Sequence, residues 1–218
     1  MQVEDEIKVD QLTREISTLS LQAPLSVGEK LFDGIPPTLT QQIQRFLHST
    51  QGVLAGSFVA RQFFPQIYNN IDIFIPFNAA KSEDFEDMLH DFGWRQASDL
   101  RTNHLYFLGS KIVDVQFYRA QQILLHVVTF NSASRHALIH DIYTTFDLDG
   151  CTIMFDGQQM ILPPSSLEAD LRQGRWRILP AGIPRTSPDH IFWKYFRHRI
   201  YKYASRGISF VNIFEIEK

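Results

Sequence analysis

Two apolar segments of the chain each carry isolated polar residues at strand spacing, and they constrain the fold more than any other feature. Residues 71–77 are apolar except for Asp72, and residues 112–115 are apolar except for Asp114. Because side chains alternate between the two faces of a strand, Asn70 and Asp72 share one face. A carboxylate inside an apolar strand is costly unless it meets a metal ion or a hydrogen-bond donor. We therefore predict that these side chains converge, provided that the two strands are neighbours in one sheet.

A small turn precedes the first of these segments. Residues 53–55 are predicted to form a short strand, Gly56 and Ser57 follow directly, and Ser57 is suited to cap a helix over residues 58–65. The chain thus reads as strand, small turn, helix and strand. This places the Gly-Ser pair shortly before Asn70.

The order of these motifs resembles the nucleotidyltransferase superfamily of DNA polymerase β type, in which a Gly-Ser pair precedes Asp-x-Asp and a third Asp lies on a later strand. The resemblance implies that Gly56 and Ser57 hold nucleotide phosphates and that Asp72 and Asp114 are catalytic. It also implies that Asn70, Asp72 and Asp114 bind Mg²⁺. One position departs from the family pattern, because Asn70 stands where the family has the first paired acid. An asparagine can ligate through its carbonyl oxygen, but it brings no charge.

This departure leaves different classes of function open. In the family, two ions stabilise the attacking and leaving oxygens of an in-line displacement. The first hypothesis is a protein that binds a nucleoside triphosphate with Mg²⁺ and transfers a nucleotidyl group, even weakly, to a hydroxyl of RNA, protein or a small molecule. The alternative is an inactive relative that serves as a nucleic-acid-binding, protein-binding or structural module. A third hypothesis is an unrelated α+β interaction domain.

The C-terminal part of the chain is strongly basic. Residues 171–206 contain nine Lys or Arg and one acid, a net charge of +8 against −11 for the rest. Arg199, Lys202 and Arg206 fall on one helix face. We predict that this face binds the phosphates of a nucleotide or of RNA, with pairing to the acidic body as the alternative. Residues 199–208 are also similar to an Arg-Ile-x-Lys-Tyr-x-x-Arg-Gly-Phe ending of poorly characterised viral and fungal nucleotidyltransferase-like proteins.

The mixed order of helices, strands and hairpins predicts an α+β fold. In the terms of the resemblance, this is a nucleotidyltransferase-like mixed sheet flanked by helices, with a helical C-terminal part. We predict an N-terminal arm or helix at 1–37, a core at 38–130 and an α+β extension with the basic helix at 131–218. Strands are expected at 104–109, 111–118 and 123–130, with a hairpin turn at Asp156-Gly157.

Targeting signals are not evident in the chain. The single cysteine, Cys151, excludes a disulfide within the chain and a cysteine-rich zinc site, and it fits a reducing compartment. The acidic start lacks the pattern of a signal peptide, and no apolar run is long enough to span a bilayer. We expect a soluble, intracellular, cytoplasmic protein without a membrane partner.

Overall fold

A seven-stranded mixed sheet forms the centre of the computed structural model, which describes residues 29–63, 70–97, 111–162, 170–180 and 191–211. In chain order its strands are β1 Val53–Ala55, β2 Ile71–Pro76, β3 Arg95–Gln96, β4 Ile112–Ala120, β5 Ile123–Phe130, β6 Met154–Phe155 and β7 Met160–Ile161. Their spatial order is β3-β4-β5-β2-β1-β6-β7. Strands β2 and β5 are parallel, and the other neighbouring pairs are antiparallel. Two further strands, β8 Arg175–Trp176 and β9 Ser209–Phe210, form a separate parallel pair.

Helices cover both faces of the large sheet. They are α1 Pro37–Thr50, α2 Ser57–Ala60, α3 Phe77–Ala80, α4 Asp84–Asp91, α5 Arg135–Thr145 and α6 Ile191–Ala204, with 3₁₀ helices at Glu29–Phe32 and Asp149–Thr152. Helix α1 begins with proline, whose missing N–H costs nothing at a helix start. Helix α5 is capped by Ser134, whose hydroxyl accepts a hydrogen bond from the backbone N–H of Ala137 at 3.3 Å.

The two faces of the sheet bury different cores. The isoleucines of β2 at positions 71, 73 and 75 point to one face and pack with the apolar stripe of α1. Phe74 points to the other face and belongs to a second core with Leu138 and Ile142 of α5. Asp72 shares the Phe74 face because it is two residues away on the same strand. The acid therefore lies on the α5 side of the sheet, toward the beginning of β2.

The predicted α+β class and mixed sheet are confirmed. The predicted strands at 111–118 and 123–130 correspond to β4 and β5, and the Asp156-Gly157 turn joins β6 to β7. The N-terminal arm up to residue 28 and the strand at 104–109 lie outside the described residues. The division of the chain after residue 130 stays a prediction, although β6 and β7 continue the same sheet. No helix in the described ranges has the length and apolar character needed to cross a bilayer.

Strand β4 contains an irregularity that decides where its acid points. Ile112 pairs with Phe130, but Asp114 pairs with Thr129, so Val113 is an extra residue in β4. A bulge of one residue reverses the facing of everything on one side of it. Ile112 therefore packs on the α5 side, whereas Asp114 faces the opposite side of the sheet.

The buried Asp149 makes folding stability depend on pH. One carboxylate oxygen accepts a hydrogen bond from the backbone N–H of Arg177 at 2.8 Å, while the other has no partner within the described residues. Burial raises the pKa of Asp149 to about 6. In the unfolded chain the group ionises near its ordinary pKa of 3.8, whereas in the folded protein it keeps its proton up to about pH 6.

We therefore expect the free energy of unfolding to fall as the pH rises from about 4 to 6, by up to about 3 kcal/mol from this group. The Asp149→Asn variant should lose that part of the decrease, as measured by urea unfolding at a series of pH values. Identical pH profiles for the variant and the unmodified protein would contradict the assignment.

Candidate functional site

The Gly56-Ser57 turn lies directly against the carboxylate of Asp72. Strands β1 and β2 place Ala55 opposite Asp72, so the next residue of the chain passes over the acid. Gly56 has φ 79° and ψ −158°, a conformation that is essentially restricted to glycine. A β-carbon at this position would lie 3.0 Å from Asp72 Oδ2. The backbone N–H of Gly56 donates to the carbonyl of Cys151 at 2.9 Å, which fixes the turn.

Asn70, Asp72 and His126 form a cluster of three polar side chains. The parallel register of β2 and β5 places His126 directly beside Asp72 on the same face. His126 Nδ1 lies 2.9 Å from Asp72 Oδ1 and 3.0 Å from Asn70 Nδ2. Asn70 Nδ2 also donates a hydrogen bond to Asp72 Oδ1. The side chains of Asp72 and His126 are only 17% and 11% exposed, so these contacts are largely shielded from water.

Asp114 does not join this cluster. Strand β5 separates β2 from β4, and the residue of β4 level with Asp72 and His126 is Phe117, three positions away from Asp114. Asp114 is exposed on the other face, where it accepts hydrogen bonds from the backbone N–H of Val115 and from Gln116 Nε2. The expected convergence of Asp114 with Asn70 and Asp72 is therefore wrong. Its cause is the combination of the intervening strand with the bulge at Val113.

Sequence reasoning missed His126. The residue is surrounded by leucines and valines in β5, and its ring meets Phe117 edge-on with centroids 4.8 Å apart. A signal was present, since His126 is the only ionisable residue of the eight in β5. The parallel pairing that brings it to Asp72, however, joins residues more than fifty positions apart.

Arg199 on the basic helix α6 is bound within the protein. Its guanidinium forms an ion pair with Asp147 through two contacts, Nε to Oδ2 at 2.6 Å and Nη2 to Oδ1 at 2.9 Å. The two side chains are 27% and 20% exposed. Pairing of the basic segment with the acidic body is the alternative to phosphate binding, and Arg199 follows it. The phosphate-binding role of Arg199 stays a prediction, because Asp147 competes with phosphate for its guanidinium.

Lys202, one turn further along α6, has a different environment. Its side chain is half-buried, and within the described ranges no carboxylate lies within ion-pair distance of its ammonium group. Burial, together with the charges of Arg199 and Arg206, lowers the pKa of Lys202, while the carboxylate of Asp72 partly offsets this. The effect of Asp72 places Lys202 near the acid of the cluster. A half-buried cation without a carboxylate partner is suited to an anionic ligand.

The side chains of the cluster fit one divalent cation better than two Mg²⁺ ions. Mg²⁺ prefers oxygen ligands and is usually held by one or two carboxylates together with substrate phosphates. Asp72 supplies one carboxylate, whereas His126 supplies a nitrogen and Asn70 an uncharged amide. The part of the chain that the structure describes contains no cluster of three or more His, Cys, Asp or Glu that could hold a metal ion. Asp72 could thus hold one Mg²⁺ together with nucleotide phosphates.

A cavity of about 240 Å³ lies away from this cluster, between α1 and the turn that joins β6 to β7. Two of its polar lining residues, Arg135 and Asp156, are engaged within the protein. Arg135 donates to the carbonyl of Leu47 at 3.0 Å and lies 3.8 Å from Asp156, which in turn accepts two backbone N–H groups of the turn. We assign no ligand to it.

Comparison with solved structures identifies the fold. The chain aligns with the apo form of a CCA-adding enzyme with a TM-score of 0.55 at 16% identity, covering 89% of this chain and 44% of that one. It also matches a CCA-adding enzyme in complex with CTP (TM-score 0.47, 16% identity, 73% of this chain and 38% of that one). A third match is the Bacillus stearothermophilus CCA-adding enzyme in complex with CTP (0.44, 14%, 81% and 42%).

CCA-adding enzymes are nucleotidyltransferases of the DNA polymerase β type, and the chain has a nucleotidyltransferase fold. The resemblance predicted from the sequence is thereby confirmed at the level of the fold. The chain spans less than half the length of each of these enzymes. No protein-family model matches the chain, and no curated protein matches it significantly in sequence.

Proposed function

We propose that the protein binds a nucleoside triphosphate together with one divalent cation, beside the Gly56-Ser57 turn and Asp72. The observation that carries this proposal is the contact of Gly56 with the Asp72 carboxylate. Because Gly56 has no side chain, its backbone comes close to the Asp72 carboxylate, in a chain with a nucleotidyltransferase fold. In this proposal the backbone and hydroxyl of Ser57 bind phosphate oxygens, and Asp72 holds the cation. Lys202 of α6 and Arg206 of the turn that follows it supply positive charge.

This binding site differs from a two-ion catalytic centre. In-line displacement between two ions requires carboxylates that hold both metals. Of the three predicted ligands, only Asp72 supplies a carboxylate to the cluster, since Asn70 is neutral and Asp114 faces the other side of the sheet. We therefore propose nucleotide binding as the main function, in a protein that serves as a binding or assembly module.

Nucleotidyl transfer to a hydroxyl is the second candidate, and the retained Gly56–Asp72 geometry favours it. An acceptor hydroxyl would attack the α-phosphorus and lose its proton to solvent, the bond from the α-phosphorus to the bridging oxygen would break, and pyrophosphate would leave. Mg²⁺ bound with the nucleotide would supply charge neutralisation. In this chain Asp72 would orient the cation, and Lys202 would offset charge on the departing phosphates. The acceptor would be RNA, a protein or a small molecule.

Nucleotide binding is tested by the thermal stability of the protein with and without nucleotide. A ligand that binds only the native state stabilises it by about 2.7 kcal/mol at a hundredfold excess over Kd. We expect ATP, CTP, GTP or UTP to raise the melting temperature more with Mg²⁺ than without it, and Asp72→Asn to remove the Mg²⁺-dependent part. No shift with any of the four nucleotides would overturn the proposal.

Lys202→Ala is expected to weaken nucleotide binding at least tenfold, because it removes the half-buried cation near Asp72. Arg197→Ala is the matched control, since Arg197 is an exposed cation on the same helix whose guanidinium lies over the Trp193 ring. Isothermal titration of both variants makes the comparison. Equal losses of nucleotide affinity in the two variants would show that α6 contributes only general positive charge.

Transfer is tested separately with nucleotides labelled at the α-phosphate and with RNA or the protein itself as acceptor. Label that appears in the acceptor and disappears with Asp72→Asn would support the second candidate. Nucleotide binding without label transfer would leave the binding module as the function.

A further inference from the structure

The 3₁₀ helix Asp149–Thr152 holds the Gly56 turn from a distant part of the chain. The carbonyl of Cys151 accepts the backbone N–H of Gly56 at 2.9 Å, and the 3₁₀ helix packs against α2, which follows Gly56 directly. All four residues of the 3₁₀ helix are buried. The contacts that fix Cys151 therefore also fix the stretch of backbone that lies against the Asp72 carboxylate.

Asp149 ties this 3₁₀ helix to the segment that follows β8, through both its backbone and its side chain. Its backbone N–H donates to the carbonyl of Arg177 at 3.1 Å, and its Oδ1 accepts the backbone N–H of Arg177 at 2.8 Å. The carbonyl of Asp149 accepts the hydroxyl of Thr152 at 2.7 Å, which braces the 3₁₀ helix from within. The position of Cys151 thus depends on hydrogen bonds made by a single residue two positions earlier.

The second carboxylate oxygen makes this fixation sensitive to charge. Asp149 is 1% exposed, and within the described ranges its Oδ2 has no hydrogen-bond partner. The indole of Trp176 covers the neighbouring Gly150 so closely that a β-carbon there would lie 2.1 Å from the ring. A charge on a buried oxygen without a donor is costly. A local opening that exposes this carboxylate to water is therefore easier when the carboxylate is ionised.

We propose that Asp149 is a positioning residue for the Gly56 turn, and that residues 147–152 open locally and release Gly56 more often when Asp149 is ionised. The importance of this opening rests on the proposed function, because the released turn is the part proposed to bind phosphates. Local openings of this kind are cooperative and cost less free energy than global unfolding.

The direction of the pH dependence follows from linkage. Burial raises the pKa of Asp149 in the closed segment to about 6, whereas the opened segment ionises near the ordinary pKa of 3.8. The closed form therefore binds the proton more tightly than the open form does. Opening is rarest below about pH 4, becomes more frequent between about pH 4 and 6, and levels off above that range.

Other charged groups near this segment influence Asp149 less than burial does. The hydrogen bond and charge of Arg177 lower the pKa of Asp149, and the charge of Asp170 raises it. These two side chains also pair with each other, Arg177 Nη2 to Asp170 Oδ2 at 2.9 Å. Helix α2 has no ionisable side chain. On α5 and α6, the groups near this segment that carry or can gain charge between pH 4 and 7 are Arg135, His136, His140, Asp141, Arg199 and Lys202.

Amide hydrogen exchange of the full chain, followed by NMR at low urea concentrations, tests the proposal. Gly56 should exchange faster than Val127 of β5 and without dependence on urea, which is the mark of a local opening. After correction for the intrinsic rate, exchange of Gly56 should rise at least tenfold between pH 4 and 7. Asp149→Asn keeps an oxygen for the Arg177 N–H but cannot ionise, so its Gly56 exchange should stay at the pH 4 level within threefold.

Two further variants separate position from charge. Asp149→Ala removes the side-chain hydrogen bond to Arg177 and should speed the exchange of Gly56 at least tenfold even at pH 4, where Asp149→Asn should not. Asp156→Asn is the matched control, because Asp156 is another buried carboxylate that accepts two backbone N–H groups, in the turn that joins β6 to β7. It should keep the pH dependence of the unmodified protein. If Asp149→Ala fails to fold, Asp149→Asn and Asp156→Asn still decide the question.

Three results would overturn the inference. They are exchange of Gly56 as slow as that of Val127, the same pH dependence in Asp149→Asn as in the unmodified protein, and loss of that dependence in Asp156→Asn.

The proposed function is tested separately in the same experiment. A nucleotide that binds only the closed turn should slow the exchange of Gly56 up to about a hundredfold at a hundredfold excess over Kd. If ATP, CTP, GTP and UTP with Mg²⁺ all leave this exchange unchanged, while the Asp149 variants behave as expected, then the nucleotide site is rejected and the positioning role of Asp149 stands.

Discussion

Gly56→Ala is expected to destabilise the protein by about 2 to 3 kcal/mol and to weaken nucleotide binding at least tenfold. The added methyl group must adopt a backbone conformation that costs about 1–3 kcal/mol for residues other than glycine. It would also lie 3.0 Å from Asp72 Oδ2, a contact so tight that the carboxylate has to shift. Urea unfolding and isothermal titration measure the two effects.

Gly207→Ala is the control that separates backbone strain from crowding. Gly207 follows α6 with φ 88°, and nothing lies within 4 Å of the β-carbon that alanine would add. This variant should show the strain of a positive φ, about 1–2 kcal/mol, and bind nucleotide normally. If Gly56→Ala behaves like Gly207→Ala in both measurements, then the turn at Gly56 does not form part of the nucleotide site.

Arg199→Ala is expected to destabilise the protein by about 2 to 3 kcal/mol while changing nucleotide affinity less than twofold. Removing one member of a buried ion pair leaves an uncompensated charge and costs about 3–5 kcal/mol, whereas exposed pairs contribute about 0–1 kcal/mol. The Arg199–Asp147 pair is partly buried and therefore falls between these limits. Urea unfolding of the variant gives the stability, and calorimetry gives the affinity.

The double variant Asp147→Ala/Arg199→Ala completes this experiment. Since neither charge is left alone, it should be more stable than the sum of the two single changes predicts. The opposite pattern, with intact stability and at least tenfold weaker nucleotide binding in Arg199→Ala, would show that Arg199 binds phosphate, as the sequence predicted. The Lys202→Ala variant is the reference, because Lys202 is the proposed phosphate ligand.

Local sequence patterns predicted the local structure around Asp72 correctly. The Gly-Ser turn, β1 and β2 involve residues close together in the chain, and strand alternation placed Asn70 and Asp72 on the same side. These features depend on periodicity and on the backbone freedom of glycine, both of which can be recognised in a single sequence.

Two long-range features were not predictable in this way. The facing of Asp114 depends on one extra residue at Val113, and the insertion of β5 between β2 and β4 depends on strand order. Strand alternation carries no information about either. Similarly, the face shared by Arg199, Lys202 and Arg206 gives no indication of Asp147, which lies some fifty residues earlier and binds Arg199. His126 was missed for the same reason, because its partner is on a distant strand.

Strand β1 is only three residues long, and its two neighbours come from separate parts of the chain, β2 from before residue 130 and β6 from after it. The carbonyl that holds Gly56 also belongs to the later part. A fragment that ended at residue 130 would expose an unpaired strand edge beside Gly56 and release the turn above Asp72. The proposed nucleotide site is therefore not a transferable module. Any chimera built from this protein has to exchange residues 53–130 and the segment around Cys151 together.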